Sequence, residues 1–227
     1  MSKFYHGVEV VEIDSGQRSI RTVKSSVIGL IGTAPQSDAE QFPLNTPVLI
    51  AGSRIEAAKL GDIGTLPDSI EGIFNQTGAM VVVVRVEHSD DNTTMLANIQ
   101  GGVDKDTEQR TGIQCCLDSA SKLGLTPKIL IAPSFTNEVG IVASMLSLAE
   151  SLKDVIIAES PSTTGFAAIA YQKNFGSARV YVVEPKVKAL IKGAETSMLV
   201  SPYIAGLIAR IDDKFGWHYS PSNHEIY

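Results

Sequence analysis

Ala79-Met80-Val81-Val82-Val83-Val84-Arg85-Val86 is an apolar run without polar alternation. A strand with one wetted face alternates, so an unbroken run reads as a central strand covered on both faces, the arrangement of a parallel sheet. Working outward, Val27-Ile28-Gly29-Leu30-Ile31-Gly32 and Pro47-Val48-Leu49-Ile50-Ala51 read as buried strands ahead of it. Behind it, a helix is predicted from about Thr111, with Ile113, Cys116, Leu117, Ala120 and Leu123 on one face. The strand Lys128-Ile129-Leu130-Ile131-Ala132 follows. The next helix, after Thr136, directs Val139, Val142, Leu146 and Leu152 to the core. Then come the strand Val155-Ile156-Ile157-Ala158, a helix over residues 163–174 and the strand Ala178-Arg179-Val180-Tyr181-Val182-Val183. A last long helix has Ser201 and Pro202 as its N-cap and first residue and Gly216 as its left-handed stop, with Tyr203, Leu207, Ile211 and Phe215 recurring every four residues. Four consecutive strand–helix units predict an α/β fold, an open and mostly parallel sheet with helices on both faces.

The two ends of the chain read differently. Gly7-Val8-Glu9-Val10-Val11-Glu12-Ile13 and Arg18-Ser19-Ile20-Arg21-Thr22-Val23-Lys24 are strand-like, separated by a turn-like Asp14-Ser15-Gly16, and have no helical partner nearby. Such a segment forms an edge hairpin or adds to another subunit's sheet, and Val8, Val10, Ile13 and Ile20 are the residues that would make that contact. The division is thus an extended N-terminal β arm over 1–24, an α/β core over 25–216, and an aperiodic stretch over 217–227.

In a chain of 227 residues, 44% hydrophobic and 19% charged residues suffice for a packed core, which excludes wholesale disorder. The formal net charge of -6 argues against a basic nucleic-acid-binding surface. No apolar run reaches the roughly 18 residues of a membrane span. Cys115 and Cys116, the only cysteines, are neighbours and read as two reduced thiols, Cys116 within the apolar stripe.

The search for chemistry finds no catalytic, cofactor-binding or metal-binding set. Gly29-Leu30-Ile31-Gly32 follows a strand but lacks a third glycine and a following helix, and no Gly-Lys-Ser/Thr occurs. Asp104-Lys105-Asp106-Thr107-Glu108 resembles half a calcium loop, yet Gln109 and Cys115 stand where glycine and the bidentate glutamate are required. His6, His88, His218 and His224 match no zinc spacing. Ser119-Ala120-Ser121-Lys122 fits Ser-x-x-Lys without the companion motifs of that hydrolase class. One competing reading stays open, an α/β enzyme or small-molecule binding protein using the strand ends near Ser134, Ser160 and Glu184. Against it, those residues serve equally well to end strands and cap helices.

Several stretches, in order, resemble the contractile tail sheath proteins of tailed bacteriophages, of the P2-like and R-type pyocin type. They are Gly7-Val8-Glu9-Val10-Val11-Glu12-Ile13, Val23-Lys24-Ser25-Ser26-Val27-Ile28-Gly29 with Gly32-Thr33-Ala34-Pro35, and Asn45-Thr46-Pro47-Val48-Leu49-Ile50. Further along stand Gly101-Gly102-Val103-Asp104 with Thr111-Gly112-Ile113, Lys128-Ile129-Leu130-Ile131-Ala132-Pro133, Ser201-Pro202-Tyr203-Ile204-Ala205-Gly206, and Trp217 with Ser220-Pro221-Ser222-Asn223. His6 and His224 depart from the pattern, which often has proline and arginine there. Family members continue into a further domain and a C-terminal arm, so the resemblance implies the N-terminal portion of a sheath subunit, with residues 217–227 beginning a linker to a missing C-terminal domain. It implies a structural, non-enzymatic protein without cofactor, assembled in the host cytoplasm into the virion tail. Its partners would be neighbouring sheath subunits, the tail tube protein and the baseplate and tail terminator proteins, with no nucleic acid and no membrane. Subunits of this family stack as hexameric rings around a tube, and their extended arms add strands to neighbours' sheets.

Overall fold

The computed structural model describes residues 26–161, 164–184, 186–191 and 194–227. Val8, Val10, Ile13 and Ile20, and with them the arm, lie outside the described residues.

Six strands form the main sheet in the order β2-β3-β1-β4-β5-β6: β1 Ile28–Thr33, β2 Pro47–Ala51, β3 Met80–Val86, β4 Ile129–Ile131, β5 Val155–Glu159 and β6 Val180–Val183. The apolar run around Val83 is indeed interior. It pairs in parallel with β1, Val81 opposite Ile28, and antiparallel with β2, Val81 opposite Ile50. Every other pairing is parallel. The pleat sends alternate residues to two cores, Val81 and Val83 to one and Val84 and Val86 to the other.

The first core is roofed by α2 (Thr65–Gln76) and α7 (Val200–Phe215), and the second by α3 (Asn92–Gln100), α5 (Val139–Leu152) and α6 (Gly165–Gln172). Helices therefore lie on both faces, as the strand–helix alternation predicts. Gly206 lets α7 approach α2 closely: a Cβ there would sit 2.7 Å from the carbonyl of Ile73. A short helix, α1 (Arg54–Ala57), follows β2, and a separate antiparallel hairpin, β7 (Val187–Ile191) and β8 (Ala194–Met198), precedes α7.

Four sequence expectations are corrected. The helix expected from Thr111 is a 3₁₀ segment, Gly112–Asp118, leading into a short α4, Ser119–Leu123. Its start is pinned, because the Gly112 N–H donates to Asn45 Oδ1 (2.9 Å) and Cys115 Sγ lies 3.2 Å from the Asn45 carbonyl. The tighter winding turns Cys115 inward beside Cys116 and leaves Ala120 outside. Along α5 the buried face is Ile141, Val142, Met145, Leu148 and Ala149, while Val139 at the first turn is exposed. Finally, α7 begins two residues early, with Leu199 at the N-cap, because the Ser201 hydroxyl is taken by another partner.

Candidate functional site

The strand ends proposed as a crevice do converge, since β4, β5 and β6 are adjacent and parallel. Glu159, the last residue of β5, is buried there. A buried carboxylate is costly unless its oxygens are hydrogen-bonded, and here each has a donor. Glu159 Oε2 accepts from the Ser134 N–H (3.0 Å), and Oε1 accepts from the hydroxyl (2.7 Å) and N–H (3.3 Å) of Ser201. The Glu159 N–H donates to Thr136 Oγ1 (3.0 Å), and the Tyr171 hydroxyl donates to the Thr136 carbonyl. Ser160 Oγ donates to Glu184 Oε2 (2.7 Å). Glu159 thus staples the loop after β4 and the first turn of α7 to the end of β5. Its negative charge at the N-terminal turn of α7 also suits the helix dipole.

The crevice beside this staple holds about 130 Å³ and is lined by Gly64, Thr65, Asp68, Ser134, Ser197 and Pro202, among others. That is below the roughly 300 Å³ at which small-molecule sites begin. Asp68 is exposed overall, but burial of its carboxyl on the crevice side, and then the nearby Glu71, push its pKa up. Ser160 directly follows β5 and its hydroxyl is spent on Glu184, while Ser134, in the turn after β4, gives its backbone N–H to Glu159. Sequence reasoning missed Glu159 itself. The available signal was a single carboxylate closing the apolar run Val155-Ile156-Ile157-Ala158.

A larger polar hollow of about 330 Å³ lies between Asn45, Glu87, Asn98, Gly101, Asp104 and Thr111. Its rim includes the calcium-loop-like stretch, closed by a bridge between Val103 and Arg110. Asp104 Oδ1 accepts from the N–H groups of Asp106 (2.8 Å) and Thr107 (2.9 Å), and these bonds, Thr107's first, hold its carboxyl below the usual range. The carboxylate folds its own turn. Among the described residues, no three His, Cys, Asp or Glu side chains converge as a metal site would require.

At the opposite end of the sheet, Asp154 is fully buried before β5. Lys128 Nζ reaches its Oδ1 at 3.4 Å, while Oδ2 has no hydrogen-bond partner. Burial pushes the carboxyl up to about 6, opposed by Lys128 and Arg179. Burial likewise pushes the Cys115 thiol up to about 12 and the Cys116 thiol higher still, so neither is an activated nucleophile.

The tail over 217–227, aperiodic in sequence, folds back onto the core. Gln76 accepts from the Tyr227 N–H (3.2 Å) and donates to the Tyr227 carbonyl. Arg210 donates to the Glu225 carbonyl and lies 4.3 Å from the centre of the Tyr227 ring. No described helix is long and apolar enough to cross a membrane.

Six strands in this order, roofed on both faces and carrying a side hairpin, define an open α/β core. The whole chain superposes on the contracted sheath of the PVC extracellular contractile injection system (TM-score 0.59, 16% identity, 55% of that chain covered). It superposes as well on the contracted helical sheath of the anti-feeding prophage (TM-score 0.59, 19% identity, 57% of that chain covered). In sequence, residues 25–86 match the family model described as the tail sheath protein Gp18 domain III N-terminal region. The putative prophage major tail sheath protein of Pseudomonas aeruginosa (strain UCBPP-PA14) is 37% identical over 226 residues, covering 98% of this chain and 58% of that protein. The tail sheath protein of Escherichia phage P2 is 36% identical over 233 residues, with the same 98% and 58% coverage. The likeness to contractile tail sheath proteins carried by the sequence motifs therefore extends over essentially the whole chain. This chain spans a little over half the length of those curated relatives.

Proposed function

We propose that this chain is the core-bearing, N-terminal portion of a contractile tail sheath subunit of a phage or phage-like particle. The observation that carries the reading is end-to-end similarity to two tail sheath proteins, with the fold shared by two sheath structures. Subunits would polymerise as hexameric rings around a tail tube and contract to drive it through the host envelope. The tube protein, baseplate and tail terminator would be the partners, and assembly would take place in the host cytoplasm. Residues 1–24 serve as the arm, with Val8, Val10, Ile13 and Ile20 adding to a neighbour's sheet. Residues 25–216 form the core, and residues 217–227 begin the connection onward from the Gln76 clamp.

The protein acts without catalysis. The strand-end staple supports this, because the oxygens of Glu159 are spent on Ser134 and Ser201 and the adjoining crevice is small. Contraction draws on a metastable lattice whose rigid cores move as bodies into one with more buried contact. The arm gives the direct test. Deleting residues 2–20 should abolish polymerisation while the melting temperature of the core stays within about 2 °C, since ~1 kcal/mol moves a domain of this size by only a few degrees. Undiminished polymerisation would remove the arm from the account.

A further inference from the structure

Residues 217–227 lie against the core without being buried in it. Pro221 and His224 are half-buried and the others are exposed, Trp217 at 77% and Tyr227 at 67%. A stretch that buries so little apolar surface gains little from the hydrophobic effect, so hydrogen bonds and ring contacts must hold it. Those contacts fall at two places. Near the end of α7 the Tyr219 ring stacks on Phe215, centroids 5.0 Å apart, and the His224 ring lies 6.0 Å from Phe215. At the far end stands the clamp on Tyr227.

The clamp is built from two helices. Gln76, the buried last residue of α2, meets both backbone groups of Tyr227, accepting from its N–H (3.2 Å) and donating to its carbonyl. A side-chain amide thus supplies the pairing that a neighbouring strand would give. From α7, Arg210 donates to the Glu225 carbonyl, and its guanidinium lies 4.3 Å from the centre of the Tyr227 ring. Arg210 Nη1 is buried without an acceptor, so the clamp is incompletely satisfied when closed. Between helix and clamp the backbone has two pivots. Gly216 ends α7 at φ +94°, a region glycine enters freely, and Asn223 turns again at φ +63°.

We infer that residues 217–227 form a strap that opens as a unit about Gly216 while the core stays folded, with Gln76 and Arg210 as the latch that sets the open fraction. Elements held by few buried contacts open locally at far lower cost than the whole fold. When latched, the strap fixes the direction in which the chain leaves the core; when open, it swings. On the sheath reading, on which this last step rests, the strap is the joint at which the rigid core turns during contraction.

Hydrogen exchange of the full-length protein, read by mass spectrometry over strap and β3 peptides, tests the latch before assembly. In the wild type the strap should exchange at least about a hundred-fold faster than β3, which opens only with the whole core. Gln76→Met keeps the length and packing of the side chain but removes both hydrogen bonds. It should speed strap exchange about ten-fold further and leave β3 within about two-fold. Tyr227→Ala, at an exposed position, removes only the ring over Arg210 and should speed the strap about three-fold. A strap that exchanges in step with β3, or that neither substitution loosens, overturns the inference. The joint is read on sleeves assembled with the tube protein: strap exchange should differ at least about ten-fold between extended and contracted sleeves. Equal rates overturn the joint and leave the latch. Protein that never forms sleeves overturns the sheath reading and the joint together, while the latch still stands or falls on the unassembled protein.

Discussion

Replacing Asp154 with Asn tests whether the buried ion pair at the foot of β5 weakens the fold at neutral pH. The carboxyl is fully buried, its Oδ2 lacks a partner, and Lys128 approaches only Oδ1 at 3.4 Å. Burial raises it from 3.8 to about 6. The folded state therefore binds this proton more tightly than the unfolded chain does. The associated stability is fully present below pH 4, falls as pH rises, and is gone above pH 6. At ~1.4 kcal/mol per pH unit, the ionised form carries a burden of about 3 kcal/mol relative to the neutral one. Asn mimics the neutral acid, and Lys128, one-third exposed, can be solvated once its partner is gone. The difference in unfolding free energy between Asp154→Asn and wild type should thus shift in the variant's favour by up to about 3 kcal/mol between pH 4 and pH 7.5. Urea titrations followed by circular dichroism at both pH values measure that difference, and every other titrating group cancels. A difference that stays constant with pH, or that turns against the variant at pH 7.5, would refute the reasoning and make the pair net stabilising.

Four further outcomes follow from the packing and the hydrogen bonds. Glu159→Gln faces one amide N–H toward a donor it must accept from and should cost about 1–3 kcal/mol, while Ser201→Ala should cost about 1 kcal/mol, both read from urea midpoints. Gly101→Ala should destabilise by more than about 2 kcal/mol, since the backbone sits at φ +60° and a Cβ would lie 2.0 Å from the Thr111 carbonyl; an unaltered melting curve would disprove that packing. Cys115 and Cys116 should resist a thiol reagent at pH 8 in the native protein and react within minutes once unfolded, and fast native labelling would contradict their burial.

The parts of the fold legible in sequence are those where burial dominates composition. The run through Val83 announces a covered strand because both its faces are apolar, and β4 and β5 are marked in the same way, whereas the edge strand β6 keeps Tyr181 exposed. The antiparallel direction of β2 leaves no local trace, being fixed by pairing with β3. The helix α2, Thr65–Gln76, opens on Gly64 and carries Pro67 and Gly72, so its starting signals are weak, and α7 packed against it decides its state. Ser201 shows the same limit at the site. As a helix-start residue it is a natural N-cap, yet a carboxylate 42 positions away claims its hydroxyl. Glu159 and Gln76 act through partners distant in the chain, which periodicity cannot register. The motif order that resembles sheath proteins was legible because it depends on local sequence alone, and the matches to two tail sheath proteins run its full length.

The proposed function makes this α/β core the repeating unit of a contractile sleeve. Cryo-electron microscopy of the full-length protein expressed with a tail tube protein tests it most directly. The account predicts a hollow helical sleeve around the tube, with density in each subunit that accepts the six-stranded core over residues 26–216 as a rigid body. Bare tubes beside dispersed, monomeric protein at high concentration would contradict it.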